Sequence, residues 1–252
     1  MSETLTDFKD QVVVISGAAQ GIGLAAAKLI HGRGGQVVLL DVLVEKLQHV
    51  KVELSLEADQ VHQIDVGDPE SVRNTIAEIE KCYGQIHALI NTAGIVGPTN
   101  VGTELIDWTD FERTVRINLF GTIWLTQAVL PLMKEKKYGR IVHVTSIAGK
   151  EGNPGMSPYN TSKSGMIGFV KGVAKEVAPL GITVNALAPA VISTPMNANT
   201  SDETLKYMIS RIPMGRVGEA EEVAEMLAFI ASKACSYTTG FTFDTSGGRA
   251  TY

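Results

Sequence analysis

Seven short apolar runs recur along the chain, separated by segments of helical spacing, and this alternation constrains the fold more than any other feature. The runs lie at residues 11–16 (QVVVIS), 36–41 (QVVLLD), 60–65 (QVHQID), 86–91 (IHALIN), 140–146 (RIVHVTS), 182–186 (ITVNA) and 241–244 (FTFD). Most are apolar at successive positions instead of alternate ones, as strands are when both faces of a parallel sheet are covered. Helical spacing fills residues 21–33, 44–57, 69–83, 108–136, 158–178 and 219–232. Gly34-Gly35 ends the first of these in left-handed geometry, and Asp68-Pro69 caps the third. Repeated β–α alternation over residues 1–252 predicts one α/β domain of three layers, a doubly wound parallel sheet between helices. Ligands are then expected at the carboxyl ends of the strands. Residues 152–158 and 188–202, rich in Gly, Pro, Ser and Asn, read as the only long irregular stretches and as active-site loops.

Composition narrows the partners. With 44% apolar and 19% charged residues the chain is no disordered segment. A net charge of −5 speaks against a basic face for nucleic acid. Cys82 and Cys235 are too few for a disulfide framework or a metal cluster, and no histidine pair has ligand spacing, so no metal is expected. No apolar run reaches the roughly 18 residues of a membrane helix, and residues 1–10 are too polar for a signal peptide. The expectation is a cytoplasmic protein acting on a small molecule, with neither membrane nor nucleic acid as partner.

The turn after the first strand reads SGAAQGIG over residues 16–23. Gly17, Gly21 and Gly23, with Gln20 and Ile22 between them, suit a backbone that approaches a pyrophosphate while the N–H groups of the next helix face its charge. Asp41 ends the second strand about 20 residues later, where a carboxylate accepts from the hydroxyls of an adenosine ribose and repels a 2′-phosphate. No cation interrupts Ala18-Ala19-Gln20, Val42 follows the aspartate, and Lys46 is the nearest positive charge. The expected cofactor is NAD.

Tyr159 and Lys163 are four apart at the start of a helix and share one face. An ammonium beside a phenol favours the phenolate, so the pair can act as general acid and base between an alcohol and a ketone. Ser146 ends the fifth strand, 13 residues upstream, on the ligand side of the sheet.

With these residues the chain resembles the single-domain short-chain dehydrogenase/reductase family. The resemblance rests on Gly17/Gly21/Gly23, Asp65-Val66, Asn91-Thr92-Ala93-Gly94, Asn118 in Arg116-Ile117-Asn118-Leu119, Ser146, Tyr159-Asn160-Thr161-Ser162-Lys163 and Gly247-Gly248. It implies a Rossmann-type fold and a proton relay of Asn118, Ser146, Tyr159 and Lys163. Ser146 would bond the substrate oxygen, Tyr159 would exchange its proton, and Asn118 would position a relay water. Tyr159 and Lys163 would also touch the cofactor, Lys163 at the nicotinamide ribose. Asp65 and Val66 would meet the adenine, Asn91, Ala93 and Gly94 the strand-end side, and Pro189, Ile192 and Thr194 the nicotinamide end. The chain departs from the family at Thr92, where Asn is usual, at Ala190, where Gly follows Pro189, and at Ala220, where Pro is common.

The tail Ser246-Gly247-Gly248-Arg249-Ala250-Thr251-Tyr252 and residues 149–154 look like members that oxidise sugar acids, notably 2-keto-3-deoxy-aldonates. Asn153, Ser193, Asn197 and Arg249 could serve such a substrate, with Arg249 offering its planar fork to a carboxylate from its own or a neighbouring subunit. The segment Ile212-Pro213-Met214-Gly215-Arg216 also resembles 3-oxoacyl carrier-protein reductases, which would require NADPH and a basic docking patch. A non-catalytic NAD-sensing regulator on the same fold is the third reading. Trp108, Phe111, Phe120 and Trp124 are expected in the core or at subunit contacts. The apolar stripe Met166, Phe169, Val170, Val173 and Val177 would, by the resemblance, pair across subunits of a homotetramer.

Overall fold

A computed structural model describes residues 7–198 and 200–252. In chain order its elements are β1 (Val12–Ser16), α1 (Gly21–Gly32), β2 (Gln36–Asp41), α2 (Val44–Glu53), β3 (Val61–Gln63), α3 (Pro69–Tyr83), β4 (Ala88–Asn91), α4 (Trp108–Val115), α5 (Gly121–Lys136), β5 (Gly139–Val144), α6 (Ala148–Glu151), α7 (Ser157–Val177), β6 (Ile182–Pro189), β7 (Ile192–Ser193), α8 (Asp202–Ser210), β8 (Gly218–Glu219), α9 (Ala220–Ala231) and β9 (Thr242–Thr245). Seven strands form one parallel sheet in the order β3-β2-β1-β4-β5-β6-β9, and β7 pairs with β8 beside it. The chain winds outward from β1 to β3, then returns to β4 on the other side of β1. That reversal opens a crevice between the carboxyl ends of β1 and β4.

The uninterrupted apolar runs have a direct cause. Val13 and Ile15 of β1 face the core under α1 and α9, while Val12 and Val14 face the core under α3, α5 and α7. β2 divides the same way, Val37 and Leu39 against Val38 and Leu40. Each side chain of a two-faced strand leaves water, and at about 25 cal/mol per Å² of apolar surface this burial dominates the stability of the sheet. Local signals set the ends. Asp68 accepts the Glu70 N–H at 3.0 Å, Pro69 occupies the first turn of α3, and Gly84 closes that helix at φ +66°.

Several expectations need correction. The helix expected over 108–136 is two helices joined by a π-type turn at Arg116–Phe120, where the Gly121 N–H reaches back five residues to the Arg116 carbonyl. α2 stops at Glu53, a short 3₁₀ turn at Ala58–Gln60 precedes β3, and β3 is only three residues long. Residues 92–107 form a further long irregular stretch besides the two expected, broken only by a 3₁₀ turn at Thr103–Leu105. Conversely, residues 188–202 are partly regular, since β6 continues to Pro189 and β7 follows. The stripe on α7 serves this chain's own core, with Met166, Val170 and Val177 fully buried, and therefore gives no argument for subunit pairing. Trp108 and Phe120, by contrast, lie outside this chain's core, which leaves subunit contact as the expectation for them.

Candidate active site

The glycine turn is built for close approach. Gly17 and Gly21 have φ of +75° and +57°. A Cβ on Gly23 would overlap the Gly17 carbonyl, so the first turn of α1 nests against the loop only without a side chain there. Thr92 explains its own departure from the family pattern: its hydroxyl donates to the Ser16 carbonyl at 2.7 Å and ties the end of β4 to the turn. α1 begins with no side-chain cap, which leaves its first N–H groups for an anion. Asp41 is buried; its Oδ2 accepts from the Ala19 N–H and its Oδ1 from the Leu43 N–H, both at 2.9 Å. Each oxygen keeps a second lone pair, and the carboxylate lines a cavity of about 570 Å³. Gly17, Gln20, Gly21, Ile22, Gly23, Asp65, Val66, Ala93, Gly94 and Thr194 line the same cavity. Lys46 reaches Gln20 Oε1 at 2.6 Å on the exposed rim. A glycine cradle, a bare helix start and a fixed carboxylate one strand away fit a dinucleotide.

A second cavity, about 560 Å³, adjoins the first through Ile22, Thr92, Gly94 and Thr194. Ser146, just beyond β5, and Tyr159 and Lys163, in the first two turns of α7, line it together. The Ser146 side chain faces the Tyr159 phenol and favours its ionised form. Lys163 Nζ donates to the Val144 carbonyl at 2.9 Å and lies 5.6 Å from the centre of the Tyr159 ring. Burial lowers the Lys163 ammonium from 10.5 to about 8. Burial also raises the Tyr159 phenol, and the neighbouring Ser146 side chain offsets this only in part. The expected depression of Tyr159 by its lysine is therefore not the net result in this chain. Desolvation penalises the charged phenolate and sets the direction of the shift.

Two expected residues stand behind the cavity walls. The Asn91 carboxamide accepts from Ser16 Oγ at 2.6 Å and donates to Thr122 Oγ1 at 2.9 Å, inside the sheet. Asn118 sits on the π turn, fully buried; it accepts from the Ile95 N–H at 2.8 Å and donates to the Ile95 carbonyl at 2.9 Å and to Ser162 Oγ at 3.0 Å. Neither side chain reaches a cavity surface. Both fix the loop that carries Ala93 and Gly94. Ser162 and Thr122 complete this network; Ser162 enters the sequence reading only as part of the Tyr159–Lys163 motif, and Thr122 carries no signal there beyond its hydroxyl.

The far wall comes from the nicotinamide loop and the tail. Pro189 and Ile192 line the second cavity, and the Pro189 carbonyl accepts from the Ile147 N–H at 3.1 Å, so the usual glycine is not needed to hold this corner. Asn197 lines it too, with Nδ2 donating to the Ile192 carbonyl at 2.8 Å, whereas Ser193 pairs with Glu219 in the small sheet and stays outside. Arg249 lies on the wall of the cavity formed by its own chain, beside Asn153. Its guanidinium donates to Glu151 Oε2 at 3.2 Å and to Asn153 Oδ1 at 3.0 Å. Asn160, next to Tyr159, holds the Asn153 backbone at both its N–H (3.1 Å) and its carbonyl (2.8 Å).

Comparison with known proteins points to one family. The enoyl-(acyl carrier protein) reductase family profile matches residues 17–250. A 2-dehydro-3-deoxy-L-rhamnonate dehydrogenase (NAD(+)) of Sphingomonas sp. (strain SKA58) is 41% identical over 97% of both chains. A 3-oxoacyl-(acyl-carrier-protein) reductase of Thermotoga maritima is 37% identical over 96% of this chain and 98% of that enzyme. The crystal structure of a levodione reductase superposes with a TM-score of 0.90 at 31% identity, covering 96% of this chain and 98% of that one. With a glycine turn on β1, a Ser-Tyr-Lys cluster at the ends of β5 and α7, and relatives matched over nearly their whole length, the chain belongs to the short-chain dehydrogenase/reductase family of nicotinamide-dependent oxidoreductases.

Proposed function

We propose that this protein is an NAD(H)-dependent dehydrogenase of a sugar acid of the 2-keto-3-deoxy-aldonate class, working as one domain in a cytoplasmic homotetramer. The observation that carries the substrate class is Arg249, a guanidinium in the same cavity as Ser146, Tyr159 and Lys163. The NAD-linked Sphingomonas relative, which by its name acts on 2-dehydro-3-deoxy-L-rhamnonate, supports it. Exposed Leu105, Trp108 and Phe241 support association between subunits.

A bound nicotinamide would supply hydride uptake and delivery, and the rest is work for this chain. Ser146 donates to the substrate oxygen and fixes it beside the phenol. In oxidation Tyr159 takes the hydroxyl proton at its phenolic oxygen as the carbon gives up its hydride; in reduction it returns that proton to the carbonyl oxygen. Lys163 stabilises the phenolate and meets the nicotinamide ribose. Asn118 holds the Ile95 and Ser162 positions, so that Gly94 stays against Lys163. Arg249 and Asn153 orient the acid.

A panel of sugar acids, neutral sugars, polyols and 3-oxoacyl thioesters tests the assignment. Turnover of 2-dehydro-3-deoxy-aldonates with NAD is the expected result, and turnover of thioesters alone, with NADPH, would replace it by the carrier-protein reaction. Arg249→Ala should raise KM for the acid by roughly tenfold to a hundredfold, the worth of a charged hydrogen bond, and leave the KM for NAD unchanged. Equal losses for acids and uncharged sugars would make Arg249 structural.

Asp41 gives the cofactor test. Wild type should prefer NAD⁺ to NADP⁺ by at least about a hundredfold in kcat/KM, because a 2′-phosphate would face a buried carboxylate. Asp41→Ala should narrow that gap, chiefly through a higher KM for NAD⁺. Equal use of both cofactors by wild type would contradict this reading.

A further inference from the structure

The guanidinium of Arg249 has two edges that can each hold a planar acceptor pair: a side edge (Nε with Nη2) and an end edge (Nη1 with Nη2). The side edge is occupied within the chain. Nε donates to Glu151 Oε2 at 3.2 Å and Nη2 to Asn153 Oδ1 at 3.0 Å, with side-chain exposures of 9% for Arg249 and 21% for Glu151. Asn153 is itself registered to the helix of Tyr159, because Asn160 of α7 grips its backbone one residue from that tyrosine. Beyond Arg249 the tail is fastened again, Tyr252 Oη donating to the Lys150 carbonyl at 2.6 Å, while Lys150 Nζ bonds Asp244 at 3.1 Å. Arg249 is thus anchored on both sides, and the end edge is the part of the fork left for a ligand.

We propose that Glu151 is a positioning residue for substrate specificity: with Asn153 it clamps the side edge of Arg249, so that the end edge meets one planar carboxylate at a fixed distance from Tyr159. This rests on the sugar-acid reading above. Glu151 does not line the cavity and acts through Arg249 alone. An unclamped arginine would lose several rotamers' worth of order each time it bound substrate, and the clamp removes that cost in advance. The ion pair also leaves the wall near neutrality, so the site attracts an acid by directed hydrogen bonds more than by net charge.

A double-mutant cycle between Glu151 and Arg249 tests the proposal, read as steady-state kinetics with 2-dehydro-3-deoxy-L-rhamnonate as the acid. Glu151→Ala should raise its KM about tenfold, with kcat within about twofold and the KM for NAD⁺ unchanged. In the Arg249→Ala background the same change should add nothing, because the arginine it positions is gone. Glu151→Gln, which keeps an acceptor at the same reach, should restore KM to within about threefold of wild type. Glu151→Asp keeps the charge but withdraws it by a methylene and should behave like the alanine variant. Additive effects, or an alanine variant with normal KM, would overturn the role of Glu151 while leaving the function intact. A wild type inactive on every sugar acid, by contrast, would remove the functional reading and this inference with it.

Discussion

Replacing Tyr159 by phenylalanine is expected to lower kcat by about 10²–10⁴-fold, the range that general acid–base catalysis contributes, while cofactor affinity stays near that of wild type. The substitution removes one oxygen, and the ring stays in its half-buried seat between Ser146 and Lys163. The pH dependence carries a second check. Oxidation needs the phenolate, and burial raises the Tyr159 pKa in this chain, so kcat/KM for oxidation should climb from neutral into alkaline pH. Stopped-flow and steady-state rates on both proteins measure this. Near-normal turnover in Tyr159→Phe would remove the proton-transfer role outright.

Lys163→Met should inactivate the enzyme and stabilise the fold. The lysine is 4% exposed, its ammonium is held by the Val144 carbonyl, and burial has brought it down to about 8. Keeping it charged at pH 7 costs about 3 kcal/mol relative to a lysine in water. Losing the hydrogen bond returns about 1 kcal/mol, so a net gain of about 2 kcal/mol is expected. The sign with pH follows from linkage. The native pKa lies below the unfolded one, so between about pH 8 and 10.5 the unfolded chain holds a proton that the native chain has shed. Wild-type stability should therefore recover, relative to the variant, as pH rises through that window. Denaturant melts of both proteins at pH 7, 8, 9 and 10 give the difference directly. A variant less stable than wild type at pH 7 would mean that the lysine is fully compensated in place.

Much of the site was legible because its parts are local. Gly17, Gly21 and Gly23 sit within one turn, Tyr159 and Lys163 within one helical step, and Asp41 and Ser146 at strand ends that apolar runs announce. Boundaries were less legible where no cap or breaker marks them, as at the end of α2 and around β3. The π turn at Arg116–Phe120 was invisible, because one extra residue in a helix leaves composition and spacing almost unchanged. What holds it is distant in sequence: the clasp of Asn118 on Ile95 and Ser162.

The sequence by itself determined the parallel α/β sheet, the nucleotide end at β1 and the acid–base pair on α7. Each follows from short-range periodicity or from residues within a few positions of one another, and such patterns survive without knowledge of how elements pack. Only the tertiary structure decided that the Asn91 and Asn118 side chains are buried behind the walls, that burial raises the Tyr159 pKa, and that the α7 stripe belongs to this chain's own core. It alone joined Arg249, on the wall of the second cavity, to Glu151, 98 residues away. Desolvation depends on everything that surrounds a group, and a contact across 98 residues depends on how every intervening element is stacked. Neither quantity is carried by spacing along the chain.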